Sequence, residues 1–324
     1  MIVDIALATL GLVILLLAGD ALVKGAVNLA LRIGVPALLV SLTIVAFGTS
    51  APELLISVAA ILDDAAGLAM GNVVGSNIAN ILLVLGVPAL LSGLDTSQSE
   101  TRKTYSMMIA ASILFIALAM AGPFTWWHGL ILLAGLALVL GDAFRTARAH
   151  RRDTRAARSA EAAAGMEEEL EGADEEMPGW KVALFLLLGL VGLPLGADIL
   201  VDSSVSIAAA LGVPDTVIGL TLVALGTSLP ELATTVMAAI RRQADVALGN
   251  VIGSNMFNLL AIIGISSFVG DIPVDPGLLR FDLWVMLGAS VLLAPFVFLR
   301  WHMGRAWGVA LTAGYIVYIY LVVA

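Results

Sequence analysis

Apolar residues fill most of the chain in long runs that polar residues interrupt only briefly. The runs reach or exceed about 20 residues, the length that an α-helix needs to cross the roughly 30 Å hydrocarbon core of a bilayer. Because backbone polar groups in lipid must be satisfied within the segment, the runs predict helices. We predict ten spans, at residues 2–31, 35–62, 68–91, 105–121, 125–145, 181–211, 214–240, 246–269, 282–299 and 305–323.

The composition supports a polytopic membrane protein and argues against several kinds of site. Hydrophobic residues make up 60% of the 324 residues and charged residues only 13%, whereas a soluble domain has roughly a quarter charged residues. The chain has no cysteine, and its 3 histidines never pair at helical spacing, so a zinc site is not expected. No nucleophile–base set or nucleotide loop is present, and we predict that the protein is not an enzyme.

A polar segment separates the fifth and sixth predicted spans. Residues 147–179 are first basic and then acidic, with almost no bulky apolar side chains, so we predict a solvated, partly helical linker. The acidic run at 167–176 lacks the ligand spacing of a calcium loop, which favours a linker over a calcium sensor. The linker divides the chain into a first half, residues 1–146, and a second half, residues 180–324.

The two halves carry an internal repeat. Residues 34–86 align without a gap with residues 212–264, and about half of the aligned residues are identical. We call two residues that this alignment pairs repeat mates. GTSAPEL aligns with GTSLPEL, and GNVVGSNIAN aligns with GNVIGSNMFN. Because each half has an odd number of predicted spans, the second copy should cross the membrane in the opposite direction.

The distribution of basic residues supports this inversion. Of the 16 lysines and arginines, all except Lys24 and Arg280 fall in or beside loops on one side of the membrane if the N-terminus is outside. Cytoplasmic loops carry the excess of basic residues. We therefore expect a cell membrane protein with both termini outside and a cytoplasmic linker. Asp63 has Arg241 as its repeat mate, an opposite charge that fits an opposite side.

Two glutamates, Glu53 and Glu231, lie deep inside predicted spans. Ionisable side chains at such depth mark ion or substrate pathways by default. Lys24 is the one basic residue predicted within a span, and it cannot neutralise both carboxylates. Pro52 and Pro230 precede the glutamates and should remove helix hydrogen bonds, which frees carbonyl oxygens in the preceding turn.

Oxygen atoms surround the two glutamates in the sequence motifs. The preceding turns offer carbonyl and hydroxyl oxygens, and the next helix of each half offers a serine and an asparagine on one face. An all-oxygen set suits Ca²⁺ or Na⁺ and not Zn²⁺ or Cu²⁺. The predicted ligands are Ala46, Thr49, Ser50, Glu53, Ser76 and Asn80, with their repeat mates Ala224, Thr227, Ser228, Glu231, Ser254 and Asn258.

Other polar residues of the motifs and spans have more than one interpretation. Four asparagines could bind ions or tie helix backbones together, and we favour the second role for Asn72, Asn77, Asn250 and Asn255. Asp20 and Lys24 are spaced to form an ion pair on the first span. The sequence assigns no role to this pair or to its repeat-spaced counterparts, Asp198 and Asp202.

The doubled GTSxPE and GNxxGSNxxN motifs resemble the α-repeats of the Ca²⁺/cation antiporter superfamily, in particular its prokaryotic sodium/calcium exchangers. The resemblance implies an all-α polytopic fold of ten transmembrane helices in two inverted five-helix repeats, with the first and sixth helices sliding across a core of helices 2, 3, 7 and 8. It implies that Ca²⁺ binds Glu53 and Glu231, together with the carbonyls of Thr49 and Thr227. It places Na⁺ at Ala46, Ser50, Ser76, Ala224, Ser228 and Ser254, with Asn80 flanking the central site.

The implied function is secondary active exchange of Ca²⁺ for Na⁺ by alternating access, without a cofactor or a nucleic-acid partner. We expect a monomer, and electrogenic exchange if a third Na⁺ is carried. Some relatives have aspartate where this chain has Asn258, so K⁺ co-transport is not expected. Two alternatives remain open. One is Ca²⁺/H⁺ antiport on the same fold, whose branch typically has GNxxE in place of GTSxPE, and the other is a channel.

Overall fold

The computed structural model of the chain describes residues 1–96, 101–161, 177–212 and 224–323. The described regular structure is helical, which confirms the all-α part of the predicted fold class. The helices that concern us are α1 (Ile2–Ile33), α2 (Ala37–Thr49), α3 (Ala51–Leu62), α4 (Ala66–Leu91), α5 (Arg102–Ala121), α6 (Trp126–Glu161), α7 (Gly179–Ala210), α8 (Leu229–Ile240), α9 (Ala244–Ser266), α10 (Asp282–Phe298) and α11 (Arg305–Val323).

The number of membrane spans is only partly settled by helix length. Within the described ranges, 7 helices are long and apolar enough to cross a membrane, or 8 if α2 and α3 form one bent span. Helices α8 and α10 are apolar but shorter. The first part of the predicted span at 214–240 lies outside the described residues, which resume at Ala224. The protein is thus a multi-span helical membrane protein, and the count of ten stays a prediction.

The span predicted at 35–62 is broken at Ser50. The backbone of Ser50 leaves the helical region, with φ −87° and ψ 4°, and α2 meets α3 at an angle of 41°. Pro52 lies in the first turn of α3, where a missing N–H donor costs little. Ser228 has almost the same backbone angles, φ −90° and ψ 1°, and Pro230 lies in the first turn of α8. Both deep glutamates therefore begin new helices, and the positive end of each helix dipole favours their negative charge.

Within the described ranges, three segments adopt the wider π-helix. They are Ser41–Val45 in α2, Asn80–Val84 in α4 and Phe257–Ile262 in α9. Single π turns occur frequently at functional sites, where they change the direction in which side chains leave the helix. The segments in α4 and α9 contain Asn80 and Asn258, the two asparagines predicted to be ligands.

The long helices α1 and α7 pack side by side and run antiparallel. Gly11, near the start of α1, lies against Leu200 near the end of α7, whereas Gly25 lies against Leu186 near the start of α7. The backbones are so close that a Cβ atom on Gly196 would stand 2.8 Å from a backbone nitrogen of α1. Small residues permit such close approach between helices in lipid.

Helices α4 and α9, which carry the repeated GNxxGSNxxN motif, form the centre of the molecule. In the most apolar 18-residue window of each helix, 100% of the residues of α9 and 78% of those of α4 are buried, against 22% for both α1 and α7. Helix α9 is therefore enclosed by protein and α4 is largely so, whereas the long pair faces lipid on much of its surface.

Two equivalent loops tie the halves of the chain together. After α4, the backbone of Leu94 exchanges hydrogen bonds with Met303, at 2.9 and 3.1 Å. After α9, Ile272 exchanges hydrogen bonds with Phe124, both at 2.9 Å. Leu94 and Ile272 stand at the repeat spacing, so each half makes the same contact with the other.

The linker begins with helix. Helix α6 continues from the predicted fifth span through Glu161, as the alanine- and arginine-rich composition favours. The apolar part of this helix, Trp126–His150, overlaps the predicted span at 125–145, and its continuation agrees with the expectation of a partly helical linker. The acidic run at 167–176 lies outside the described residues.

Candidate functional site

The two deep glutamates are enclosed by protein and face no basic partner. Glu53 is 1% exposed and Glu231 is 0% exposed. No ion pair to either carboxylate is found in the part of the chain that the structure describes. Ser50, three residues before Glu53, donates a hydrogen bond to Glu231, so the two glutamates belong to one site. Burying two such charges is costly unless a counter-charge binds between them.

The two copies of the GTSxPE motif meet at Glu231. Its Oε1 atom accepts a hydrogen bond from the hydroxyl of Ser50, at 3.2 Å, and lies 3.5 Å from the hydroxyl of Ser254. Ser50 comes from the first half of the chain, whereas Ser254 and Glu231 come from the second. The structure thus brings motifs that are far apart in the sequence into one site.

Four buried oxygen atoms at the centre have no hydrogen-bond partner among the described residues. They belong to Glu53 (Oε2), Glu231 (Oε2), Asn80 (Oδ1) and Asn258 (Oδ1). Buried polar atoms are normally hydrogen-bonded. All four oxygens come from predicted ligands, on α3, α8, α4 and α9, and they pair off as repeat mates. Carboxylate and amide oxygens are the ligands that Ca²⁺ and Na⁺ prefer.

The turn before Pro52 differs from the sequence-based expectation. The carbonyl of Ala46 accepts from the backbone N–H of Ser50 at 3.0 Å and from the hydroxyl of Thr49 at 3.3 Å. Pro52 was expected to free carbonyls in the turn 46–49, and the carbonyl of Ala46 is not one of them, because the missing proline N–H would have reached Gly48, four residues earlier. Ala224 lies in the helical turn Ala224–Gly226, and its side chain is outside the described set.

The two motif threonines contact asparagines of the opposite half. The hydroxyl of Thr49 can donate its single hydrogen either to the Ala46 carbonyl or to Oδ1 of Asn250, at 3.4 Å, and the hydroxyl of Thr227 donates to Oδ1 of Asn72 at 3.5 Å. These contacts are repeat mates of each other. They fix the turns that carry the glutamates against the central helices.

Asn72 and Asn250 bind the backbone next to the site. Asn72 donates to the carbonyl of Glu53 at 3.5 Å and to the hydroxyl of Ser57 at 3.4 Å. Asn250 makes the equivalent contacts, to the carbonyl of Glu231 at 3.4 Å and to the repeat mate of Ser57 at 3.2 Å. This geometry agrees with the interpretation that these asparagines tie helix backbones together.

The remaining predicted ligands are buried at equivalent places in the two halves. Ser228 precedes α8 as Ser50 precedes α3. Ser76 stands one helical turn before Asn80 on α4, and Ser254 occupies the same place on α9. The predicted ligands therefore lie on or beside α2, α3 and α8 and on the two central helices, which pack against one another.

Asp20 makes a contact that sequence reasoning missed. Its carboxylate pairs with Lys24 at 3.0 Å, as the spacing predicts, and also binds the guanidinium of Arg241. Arg241 follows directly after α8, so the pair joins α1 to the helix that carries Glu231. No local sequence pattern indicates this contact. The one available signal is general: an aspartate within a membrane span usually pairs with a basic residue.

Comparison with known proteins decides the family. The family model described as sodium/calcium exchanger protein matches residues 3–141 and 181–324. The chain belongs to the sodium/calcium exchanger family. This family consists of transporters, not enzymes, and the resemblance drawn from the doubled motifs is confirmed.

Individual exchangers and membrane proteins match over nearly the whole chain. It is 35% identical over 347 residues to the sodium/calcium exchanger MaX1 of Methanosarcina acetivorans, covering 98% of this chain and 97% of the relative. It is 33% identical over 326 residues to the inner membrane protein YrbG of Escherichia coli, covering 98% and 96%. Its fold matches a solved structure of the sodium-calcium exchanger NCX_Mj, soaked without Na⁺ and Ca²⁺, with a TM-score of 0.81 and 30% identity over 99% of both chains.

Proposed function

We propose that the protein exchanges Ca²⁺ for Na⁺ across the cell membrane by alternating access. The observation that carries this proposal is the set of four buried, unpartnered oxygens within the described residues, on Glu53, Glu231, Asn80 and Asn258. The similarity of the chain to exchangers named for sodium and calcium also supports this proposal. Ca²⁺ accepts about 6–8 oxygen ligands, and the surrounding hydroxyl and carbonyl groups supply the remainder.

Charge balance explains why the two ions would be coupled. One Ca²⁺ or two Na⁺ neutralise the two glutamates, whereas the unloaded site would carry two negative charges through a low-dielectric region at high cost. The helices therefore move only when the site is loaded. A third Na⁺ leaves one net positive charge, so that exchange is electrogenic and responds to membrane potential.

We assign the ions to residues as follows. Ca²⁺ binds the carboxylates of Glu53 and Glu231 with the carbonyls of Thr49 and Thr227. Asn80 and Asn258 flank this central position with amide oxygens. The Na⁺ positions use Ala46, Ser50 and Ser76 in one half and Ala224, Ser228 and Ser254 in the other. Because Asn258 adds no charge, the site has no third carboxylate to attract K⁺, and we propose exchange without K⁺.

The proposed architecture has ten spans in two inverted repeats, residues 1–146 and 180–324, joined by a cytoplasmic linker at 147–179. The antiparallel packing of α1 and α7 supports inversion, since these helices begin the two halves. The paired loop contacts and the paired hydrogen bonds of Asn72 and Asn250 also support it. We propose that α1 and α7 slide across the core, that both termini are outside, and that the monomer is functional.

Ca²⁺/H⁺ antiport is the second candidate, because two protons would neutralise the same two carboxylates. The hydroxyls of Ser50 and Ser254 at Glu231 favour Na⁺. A proton needs no additional oxygen ligands, whereas Na⁺ does.

The test uses purified protein reconstituted into vesicles. Radioactive calcium uptake is measured with an outward Na⁺ gradient and, separately, with a pH gradient. We expect uptake driven by Na⁺ in the wild type and in the control Asp63→Asn, which removes an exposed carboxylate at the end of the same helix. We expect none in Glu53→Gln. Uptake driven by protons and indifferent to Na⁺ favours the second candidate, and normal transport by Glu53→Gln refutes the site.

A further inference from the structure

Two asparagines hold each other across the centre of the molecule. Asn77, on α4, donates from Nδ2 to the backbone carbonyl of Asn255 at 3.3 Å. Asn255, on α9, donates from Nδ2 to the backbone carbonyl of Asn77 at 3.4 Å. Both side chains are buried. We call this reciprocal contact the asparagine clasp.

Each clasp amide also points an N–H at a methionine sulfur. Asn77 Nδ2 lies 3.7 Å from Sδ of Met286, and Asn255 Nδ2 lies 3.8 Å from Sδ of Met108. The two methionines stand at the repeat spacing, although they lie beyond the aligned segment. A carbonyl and a thioether can only accept hydrogen bonds. The NH₂ end of each clasp amide is therefore fixed, and its Oδ1 must face the other way.

The fixed oxygens determine the orientation of the two ligand asparagines. Asn77 Oδ1 accepts from Nδ2 of Asn258 at 3.1 Å, and Asn255 Oδ1 accepts from Nδ2 of Asn80 at 3.0 Å. Because each ligand amide turns its NH₂ toward the clasp, its own Oδ1 is directed away from it. Among the described residues these two Oδ1 atoms are buried and have no hydrogen-bond partner.

We propose that Asn77 and Asn255 are positioning residues that make Asn258 and Asn80 present oxygen to the transported cation. The proposal rests on the proposed function and names how the amide ligands of that site are oriented. A primary amide is nearly symmetrical in shape, but a rotation by half a turn exchanges its acceptor end for two donors. An amide turned the wrong way would direct positive N–H groups at the cation. The clasp excludes this orientation before the ion arrives.

The clasp also explains why a neutral side chain fits at position 258. A carboxylate there would place an oxygen opposite Asn77 Oδ1, which is also an acceptor. Two buried acceptors facing each other lose a hydrogen bond and repel. With the clasp set as it is, the site keeps the two formal charges of Glu53 and Glu231.

The contacts predict which pairs of residues are coupled. Asn77 acts on Asn258, and Asn255 acts on Asn80. The KM for Ca²⁺ is measured by Na⁺-driven uptake in vesicles containing the full chain, normalised to folded protein. We expect Asn77→Ala to raise this KM about tenfold, since a lost buried hydrogen bond of about 1.4 kcal/mol corresponds to that factor. The same substitution should change the KM less than about twofold in an Asn258→Ala background.

The crossed pair is the matched control. In an Asn80→Ala background, Asn77→Ala should keep its full effect on the KM for Ca²⁺. In the same background, Asn255→Ala should lose most of its effect on this KM. If Asn77→Ala is not recovered folded, Asn77→Ser is used, because a serine hydroxyl is too short to reach Asn258. A merely structural role lowers the maximal rate through the amount of folded protein and leaves KM unchanged.

The outcomes separate this proposal from the proposed function. An unchanged KM in Asn77→Ala, or equal effects in both backgrounds, overturns the positioning role even when Glu53→Gln abolishes transport. Normal transport by Glu53→Gln would instead refute the assignment of the ion site on which the proposed function rests. Coupling confined to the pairs 77–258 and 255–80 supports the orientation mechanism.

Discussion

Ser50 donates a hydrogen bond to the carboxylate of Glu231, at 3.2 Å, across the two halves of the chain. Each residue belongs to a copy of the same short motif, and neither copy holds a complete ligand set. Because of this contact, a substitution at Ser50 in the first motif changes the hydrogen bonding of the Glu231 carboxylate in the second motif.

Ser50→Ala should impair Na⁺ binding more than Ca²⁺ binding. Na⁺ depends on neutral oxygens for a larger share of its ligands, whereas Ca²⁺ is held chiefly by the two carboxylates. We expect the half-saturating Na⁺ concentration to rise about fivefold and the KM for Ca²⁺ to change less than about twofold, given the worth of one hydrogen bond. Vesicle uptake at varied Na⁺ and Ca²⁺ measures both. Ser206→Ala, at an exposed serine of α7, is the control, and equal shifts for both ions contradict the prediction.

Glu231→Gln should abolish the stabilisation of the protein by Ca²⁺. A ligand at about 100 times its Kd stabilises the folded state by about 2.7 kcal/mol. The wild type should therefore unfold at a higher temperature with Ca²⁺ than with a chelator. In Glu231→Gln the two temperatures should coincide, while the chelated variant unfolds no earlier than the chelated wild type, since one buried negative charge is removed. Thermal unfolding in detergent, followed by intrinsic fluorescence, measures this, and a Ca²⁺-dependent shift in the variant argues against the site.

Acid should inhibit Ca²⁺ uptake by competition. A proton and Ca²⁺ require the same carboxylate oxygens of Glu53 and Glu231, so proton binding excludes the metal ion. As pH falls, the KM for Ca²⁺ should rise while the maximal rate at saturating Ca²⁺ changes little. Initial rates of uptake at several Ca²⁺ concentrations and pH values measure this. Unchanged transport down to about pH 5 contradicts competition at these buried carboxylates.

The parts of this picture that the sequence predicted are those that depend on local patterns or on the repeat. Apolar runs indicate helices, and duplication indicates that Glu53 and Glu231 share a site. The partner of Asp20 could not be predicted, because its contact with Arg241 depends on how α1 crosses α8. The hydrogen bond at the Ala46 carbonyl could not be predicted either, because it depends on where the helix breaks before Pro52. Met108 and Met286 could have been found by extending the repeat beyond its aligned segment.

Gly196→Val should separate the long helices. A Cβ atom at this position meets the backbone of α1 at 2.8 Å, so the helices must move apart or distort. Overpacking of this kind costs about 1–3 kcal/mol, and we expect lower thermal stability together with a lower maximal transport rate. The control is Gly141→Ala, at an exposed position of α6. Wild-type stability and transport in Gly196→Val would contradict the close packing of α1 and α7.

Asp20 and Arg241 should be energetically coupled, since they form an ion pair between α1 and the end of α8. Removing one partner leaves the other charge partly buried, so Arg241→Gln and Asp20→Asn should each reduce thermal stability. The double variant should lose less stability than the sum of the two single variants, because contacting residues show interaction free energies of about 0.5–3 kcal/mol.

Lys24→Gln combined with Arg241→Gln tests whether Lys24 compensates for the lost arginine. If α1 slides as proposed, the pair breaks in each cycle, and Arg241→Gln should change the maximal rate while leaving the KM for Ca²⁺ unaltered. Additive stabilities in the double variant would show that the two charges do not interact.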